Sequence, residues 1–309
     1  MESIRVFAPA TVANVAAGFD ILGFAVNEPG DEVTIRATGK NQVIMNKIEG
    51  DGGKLPTDPM KNTASIAVIK LLEDLESQQG FEIDLVKRMP LGSGMGSSAA
   101  SSVAAVYATN QLLGAPLTAE ELLPFAMEGE RIACGAGHAD NAAPSLLGGF
   151  VLIRSYEPLD VVRIPTPDTL YCSILHPQIE VLTDDARKIL KRHILLKDAI
   201  VQWGNVAGLM TGLILEDFAL VGRSMRDVII EPVRSLLIPG FDEIKQAAID
   251  AGALGCSISG SGPSLFALST SEETASNAGK AMQEACGKND IESEIYVSPI
   301  NQEGPRILD

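Results

Sequence analysis

Apolar and polar positions change period several times along the chain, and each change predicts an element. Residues 4–8 and 32–37 are rich in β-branched side chains and read as strands, and residues 82–86 alternate as a third. Apolar Ile66, Ile69, Leu72 and Leu75 recur at a helical spacing and predict a helix over 62–78. The intervening residues 47–61, rich in glycine, proline and charge, predict an exposed loop. A glycine loop at 92–96 leads into a helix of small residues over 97–113. Thr118 followed by Glu121 is a capping-box signature that opens another helix, expected to reach 133. An apolar strand is expected at 146–153. Pro158, Pro165 and Pro167 then mark a domain boundary within 158–168. Beyond it the pattern predicts a strand at 170–175 and helices near 184–191, 199–216 and 241–251. A strand–turn–strand centred on Gly260, a helix over 272–286 and a strand at 294–297 complete the chain. Strands and helices do not alternate regularly, so the expected class is α+β rather than a doubly wound sheet.

Composition narrows the partners. The 309 residues carry 40 acidic against 24 basic side chains, a formal charge of −16. That field repels phosphate backbones and anionic lipids, so neither nucleic acid nor membrane is expected as a partner. An anionic small ligand needs local compensation from backbone N–H groups, a metal ion or placed arginines. Cys134, Cys172, Cys256 and Cys286 form no C-x-x-C pair and read as small buried hydrophobes. The first residues lack a basic-then-apolar leader, and no apolar run approaches the roughly 20 residues that span a bilayer. The expected location is cytoplasmic.

The densest chemistry lies in Pro90, Leu91, Gly92, Ser93, Gly94, Met95, Gly96, Ser97, Ser98, Ala99 and Ala100. Glycines at 92, 94 and 96 allow positive φ and close approach of a ligand to the backbone. A helix starting directly behind them presents unpaired N–H groups and the positive end of its dipole, a setting for phosphate. The Ser98 hydroxyl adds a candidate ligand for Mg²⁺. Two commoner phosphate motifs fail on spacing. None of the four Gly-Lys pairs precedes Ser or Thr, as a P-loop requires, and the loop runs G-x-G-x-G rather than G-x-G-x-x-G.

Two further patches flank this one. Residues 9–20 place polar Asn14 and Asp20 among small residues just after a strand, and residues 252–267 make a tight turn at Gly260, Gly262 and Pro263. In this order the three patches resemble the three motifs of the GHMP kinases, over the chain from Pro9 to about Ala267. Pro9-Ala-Thr-x-Ala-Asn with Gly18-Phe-Asp, and Gly137-His-Ala-Asp-Asn-Ala-Ala-Pro144 followed by Gly148-Gly149, are similar to the homoserine kinase branch. Val12 stands where that branch commonly has serine, and Val15-Ala-Ala where it has Leu-Gly-Pro; Asn14, Gly18, Phe19 and Asp20 stay in register.

The resemblance implies a two-domain GHMP kinase fold. Residues 1–160 would form a ribosomal-protein-S5-domain-2-like unit and residues 161–309 a ferredoxin-like α/β plait. It implies ATP on the loop 90–100, with Asn62 near the nucleotide and Mg²⁺ held by Ser98 and Glu130. On its own Glu130, beside Glu128 and Arg131, reads as a solvated helix carboxylate. The implied acceptor is L-homoserine, met by Asn14, Asp20, His138, Arg187 and Arg234. Asp140 and Asn141 would orient the hydroxyl, and Thr183 would stand near the transferred phosphoryl group. Whether Asp140 also takes the proton is left open. A homodimer is implied as well. A kinase for another small alcohol and a catalytically inactive nucleotide-binding regulator are the competing readings.

Overall fold

The computed structural model describes residues 3–135, 137–181 and 183–308, without the side chains of residues 133, 134, 183 and 184. The chain begins with β1 (Ser3–Ala13), β2 (Leu22–Thr38), β3 (Val43–Glu49), α1 (Thr63–Asp74) and β4 (Gly80–Val86). Next come α2 (Ser97–Leu112), α3 (Ala119–Cys134), α4 (Ala139–Leu147), β5 (Phe150–Tyr156) and β6 (Leu159–Ile164). The second half holds β7 (Tyr171–Pro177), α5 (Thr183–Lys188), α6 (Leu196–Leu215), α7 (Phe218–Ser224), α8 (Glu231–Arg234) and α9 (Phe241–Asp250). It ends with β8 (Gly255–Ile258), β9 (Leu265–Ser269), α10 (Glu272–Gly287), β10 (Ser293–Pro299) and β11 (Arg306–Leu308).

Among the described residues these strands form two sheets. One has seven strands, in the order β11-β1-β2-β4-β3 with β5 and β6 branching from β2, and the other runs β10-β7-β9-β8. Pairing is antiparallel except between β3 and β4. Helix α2 lies against β1 and β2 and is flanked by α1, α3 and α4. Alanine and serine on nearly every side let it be buried all round, because small side chains allow backbones to approach closely. Helices α9 and α10 cover the second sheet through Ile244, Ala248, Ala278 and Met282. Stacked Phe24 and Phe150, centroids 4.6 Å apart, and Phe266, edge-on to Phe24 at 5.8 Å, join the two sheets. Cys172, Cys256 and Cys286 are buried free thiols, as expected; the side chain of Cys134 lies outside the described residues.

Several local expectations need correction. β3 extends to Glu49, inside the stretch read as loop, because parallel pairing with β4 in the register Val43↔Phe81 supplies an order that its mixed sequence does not signal. Leu146 and Leu147 end α4 rather than start a strand; Gly148, at φ 72°, terminates the helix and β5 begins at Phe150. Helices α4, α7 and α8 and strands β3, β6 and β11 have no counterpart among the elements expected from the sequence. β6 pairs with β5, and β11 returns to β1 in the register Val6↔Ile307. The Thr118–Glu121 capping box forms with both of its reciprocal hydrogen bonds.

Candidate functional site

A cavity of about 410 Å³ opens where the glycine loop, the start of α4, the 14–20 turn and the end of α8 meet. The loop is held from both sides. The ladder between β1 and β2 shifts register between Pro9 and Thr11, and the Thr11 N–H donates to Met95 O at 3.0 Å. From the other side Ser259 Oγ donates to Gly94 O at 2.7 Å, and the Ser264 N–H to Ser93 O at 3.3 Å. Gly94, at φ 78°, is required by close approach, since a Cβ there would stand 2.5 Å from Ser259 O and 2.8 Å from Gly262 O. Gly92, at φ 69°, has nothing within 4 Å of the Cβ position and lines the cavity. Helix α2 starts behind Gly96 with no side-chain cap, so its first-turn N–H groups are available to an anion at the cavity wall formed by Gly96, Ser97 and Ser98.

Two carboxylates on this cavity are buried with orphaned oxygens. Glu130 is 3% exposed and Asp140 is 3% exposed, and among the described residues neither Glu130 Oε1 nor Asp140 Oδ1 has a hydrogen-bond partner. Burial pushes the Glu130 pKa up to about 7, against the Ser98 hydroxyl and the Lys87 charge, which lower it. Burial also pushes Asp140 up to about 8, helped by Asp20 and Glu130 and opposed by Arg187. A buried, unpartnered carboxylate oxygen beside a hydroxyl suits a hard cation, so Ser98 and Glu130 fit Mg²⁺. Below them Lys87 and Asp31 form a buried ion pair. Lys87 Nζ also donates to Ser97 O at 2.8 Å and Ser101 Oγ at 2.7 Å, and Ser97 Oγ donates to Asp31 Oδ2 at 3.0 Å. The pair fixes the first turn of α2 to the end of β4.

The opposite end is built for a charged, polar ligand. Asn14, Val15, Ala16 and Asp20 all have positive φ, a tight turn closed by Asn14. Its Nδ2 donates to Gly260 O at 2.7 Å and its Oδ1 accepts from the Asp20 N–H at 3.0 Å. Arg187 Nη2 donates to both Asp20 carboxylate oxygens, at 2.9 and 3.0 Å. Arg234, 4% exposed, donates from Nε to Ala186 O at 3.1 Å and from Nη1 to Gly260 O at 2.9 Å. Both guanidiniums lie over the Phe19 ring, at 5.6 and 5.1 Å from its centroid. His138 Nδ1 is 3.9 Å from Asp20 Oδ1. Burial lowers the His138 pKa; Asp20 raises it and the two arginines lower it, the net direction being down. Thr11 Oγ1 donates to Asn141 Oδ1 at 2.8 Å, which orients the amide. Tyr156 OH donates to Asp20 O at 2.8 Å and accepts from the Ala139 N–H at 3.3 Å, spanning the turn and the start of α4.

Asn14, Asp20, His138, Asp140, Asn141, Arg187, Arg234, Ser98 and Glu130 thus line one cavity, with the loop residues Leu91, Gly92, Ser93, Gly94, Gly96 and Ser97. Met95 is buried behind the loop. Asn62 is the N-cap of α1; its Oδ1 accepts from the Ala64 N–H at 3.0 Å and its Nδ2 donates to Pro56 O at 3.1 Å. The side chain of Thr183 lies outside the described residues. Lys87, Asp31 and Tyr156 escaped the sequence reading. Lys87 carries one local mark, its place between a strand and the glycine loop; Asp31 and Tyr156 carry none.

Comparison with known proteins gives the geometry a family. A family model described as "GHMP kinases N terminal domain" matches residues 62–149, and one described as "GHMP kinases C terminal" matches residues 209–288. The homoserine kinase of Chloroherpeton thalassium is 58% identical over 319 aligned residues, covering 100% of both chains. That of Chlorobium phaeovibrioides is 57% identical over 320, again covering 100% of both. The crystal structure of homoserine kinase from Cytophaga hutchinsonii superposes with a TM-score of 0.97 at 60% identity, covering 100% of this chain and 98% of that one. The chain therefore belongs to the homoserine kinase family of the GHMP kinases.

Proposed function

We propose that this enzyme transfers the γ-phosphoryl group of ATP to the side-chain hydroxyl of L-homoserine, giving O-phospho-L-homoserine and ADP. The setting would be threonine biosynthesis in the cytoplasm. The observation that carries this reading is one cavity with an uncapped helix N-terminus and the buried Glu130, its Oε1 without a partner among the described residues, at one end, and Asp20, Arg187 and Arg234 at the other. The loop 90–100 and the α2 N-terminus bind the triphosphate through backbone N–H groups. Ser98 and Glu130 would hold Mg²⁺, which when bound neutralises charge on the phosphate oxygens. The acceptor's carboxylate meets the two guanidiniums and its ammonium meets Asp20. Asp140 and Asn141 orient the hydroxyl, whose oxygen bonds to the γ-phosphorus as the bond to the bridging oxygen of ADP breaks, its proton passing to a γ-phosphate oxygen or to solvent. A carboxyl group held up to about 8 is mostly protonated at neutral pH, so we assign Asp140 to orientation and assign no residue as general base. Division of the chain into residues 1–160 and 161–309 belongs to the same reading; β1–β5 and β7–β10 fall on either side of it in separate sheets, while β6 runs across it to Ile164 and β11 returns to the first sheet beside β1.

The deciding experiment is ADP release measured with L-homoserine, L-serine and mevalonate side by side. L-homoserine should be preferred by about a hundredfold in kcat/KM: mevalonate lacks the ammonium and so one charged hydrogen bond, and L-serine is one methylene shorter, which withdraws its hydroxyl from the phosphoryl group. Equal turnover of mevalonate would overturn the assignment. For the nucleotide end, Gly92→Ala is the informative change. Its methyl enters open cavity, whereas a side chain at Gly94 would collide with the Ser259–Gly262 turn. Calorimetry with an ATP analogue should show affinity about five- to thirtyfold weaker, from roughly 1–2 kcal/mol of backbone strain and lost approach. Unchanged affinity would remove the loop from the phosphate site.

The same reading includes a homodimer, and α6 offers its surface. Leu196, Ile200, Trp203, Ile214 and Leu215 are all more than half exposed, and no charged residue occurs from Ala199 to Leu215. On a chain of charge −16 such a face lets two copies meet without opposing like charges. Trp203 is the chain's sole tryptophan and is 62% exposed. Its emission should shift to the blue as protein concentration rises, and Trp203→Glu should sediment as a monomer. A Trp203→Glu dimer would place the interface elsewhere.

A further inference from the structure

Gln202 lies buried on the inner side of α6, and its amide joins two segments that share no strand or helix. Nε2 donates to Ala17 O at 2.8 Å and to Asp227 Oδ1 at 2.9 Å, while Oε1 accepts from the Val228 N–H at 3.1 Å. Asp227, also buried, gathers the next backbone turn. Its Oδ1 accepts from the Ile229 and Ile230 N–H groups at 2.8 and 3.0 Å, and its Oδ2 from the Glu231 N–H at 2.8 Å. Glu231 opens α8, and Arg234 closes it. Ala17 belongs to the turn that carries Phe19 and Asp20. One side chain therefore ties the Asp20 turn to the segment presenting Arg234, across 185 residues of sequence on one side and 25 on the other.

We infer that Gln202 and Asp227 are positioning residues that set the spacing between Asp20 and Arg234, and hence affinity for the amino-acid acceptor, without touching it. Neither lines the cavity. Among the described residues Asp227 has no cation within ion-pair distance, yet its charge acts on Arg234, offsetting part of the burial that disfavours the guanidinium. The bridge depends on an amide. Ala17 O and Asp227 are both acceptors and need a donor, while the Val228 N–H needs an acceptor, so neither a carboxylate nor a thioether satisfies all three.

The inference rests on L-homoserine as the acceptor that spans Asp20 and Arg234. Gln202→Met keeps the shape and removes all three bonds; Gln202→Glu is closer still in shape but sets a second carboxylate against Asp227. KM for L-homoserine should rise about tenfold in the Met variant and on the order of a hundredfold in the Glu variant, with KM for ATP within about twofold of wild type. A packing role alone predicts the reverse order, or a shared rise in both KM values, and either result overturns the inference. In an Arg234→Lys background the Gln202→Met effect should shrink below about threefold, because the group it positions is already changed; a full tenfold effect there also overturns it. Should the Glu variant fail to fold, Asp227→Asn replaces it and should reproduce the rise in acceptor KM alone. A wild type that prefers serine or mevalonate sinks the substrate assignment instead, and the same ordering is then read with the preferred acceptor.

Discussion

Glu130→Gln is expected to lower turnover on the order of a thousandfold, about 4 kcal/mol in the barrier, while leaving the ligand-free fold at least as stable as wild type. The two effects share one cause. A buried carboxylate with an orphaned oxygen is costly to the empty protein and is what the proposed Mg²⁺ requires. Glutamine keeps the shape and helix propensity but removes the charge. The pH dependence follows from the raised pKa, about 7 against 4.5 for an ordinary glutamate. Between those values the folded state holds a proton that the unfolded state has released, so stability falls as pH rises from about 4.5 to about 7 and is level beyond. Asp140 acts in the same direction between 3.8 and about 8. Melting temperatures taken without nucleotide and with a chelator should fall over pH 5–8 in wild type and less steeply in Glu130→Gln. Near-normal turnover of the variant at ordinary Mg²⁺ would take Glu130 out of the site, and an unchanged pH slope would show its carboxylate to be solvated.

Arg187 and Arg234 should separate on stability while agreeing on activity. Arg187 bonds only the Asp20 carboxylate among the described residues, and its side chain is partly exposed. Arg187→Ala should reduce kcat/KM for L-homoserine by roughly ten- to a few hundredfold, the worth of one charged hydrogen bond, and barely move the melting temperature. Arg187→Lys keeps the charge but loses the planar fork and should fall between. Arg234→Ala should cost a comparable loss of activity and in addition about 1–3 kcal/mol of stability, since Ala186 O loses the donor that Arg234 supplies and Gly260 O keeps only Asn14 Nδ2. ATP affinity should be unchanged in all three. The control is 3-amino-1-propanol, the acceptor without its carboxylate. Wild type should turn it over poorly and Arg187→Ala no worse; wild-type turnover equal to that of L-homoserine would mean that no carboxylate clamp exists.

What the sequence determined by itself was whatever a short stretch of chain decides. The glycine loop with its helix, the Thr118–Glu121 box, the amphipathic α1 and α3 and the turn at Gly260 all rest on φ preferences, caps and periods within a few residues. The GHMP resemblance extended that local reading to the residues around the cavity. Tertiary structure decided the rest. β3 and β11 are strands because β4 and β1 pair with them, and α4 forms with Pro144 inside it and no side-chain cap because it packs against β1, β2 and α2. Glu130 reads in sequence as a solvated helix carboxylate, and only the packing of α3 beside α1 and α2 buries it and moves its pKa. The partners of Lys87, Arg187 and Gln202 stand 56, 167 and 185 residues away at Asp31, Asp20 and Ala17. A charge or an amide acquires such a partner through the closure of the whole fold, and no periodicity in the chain records that.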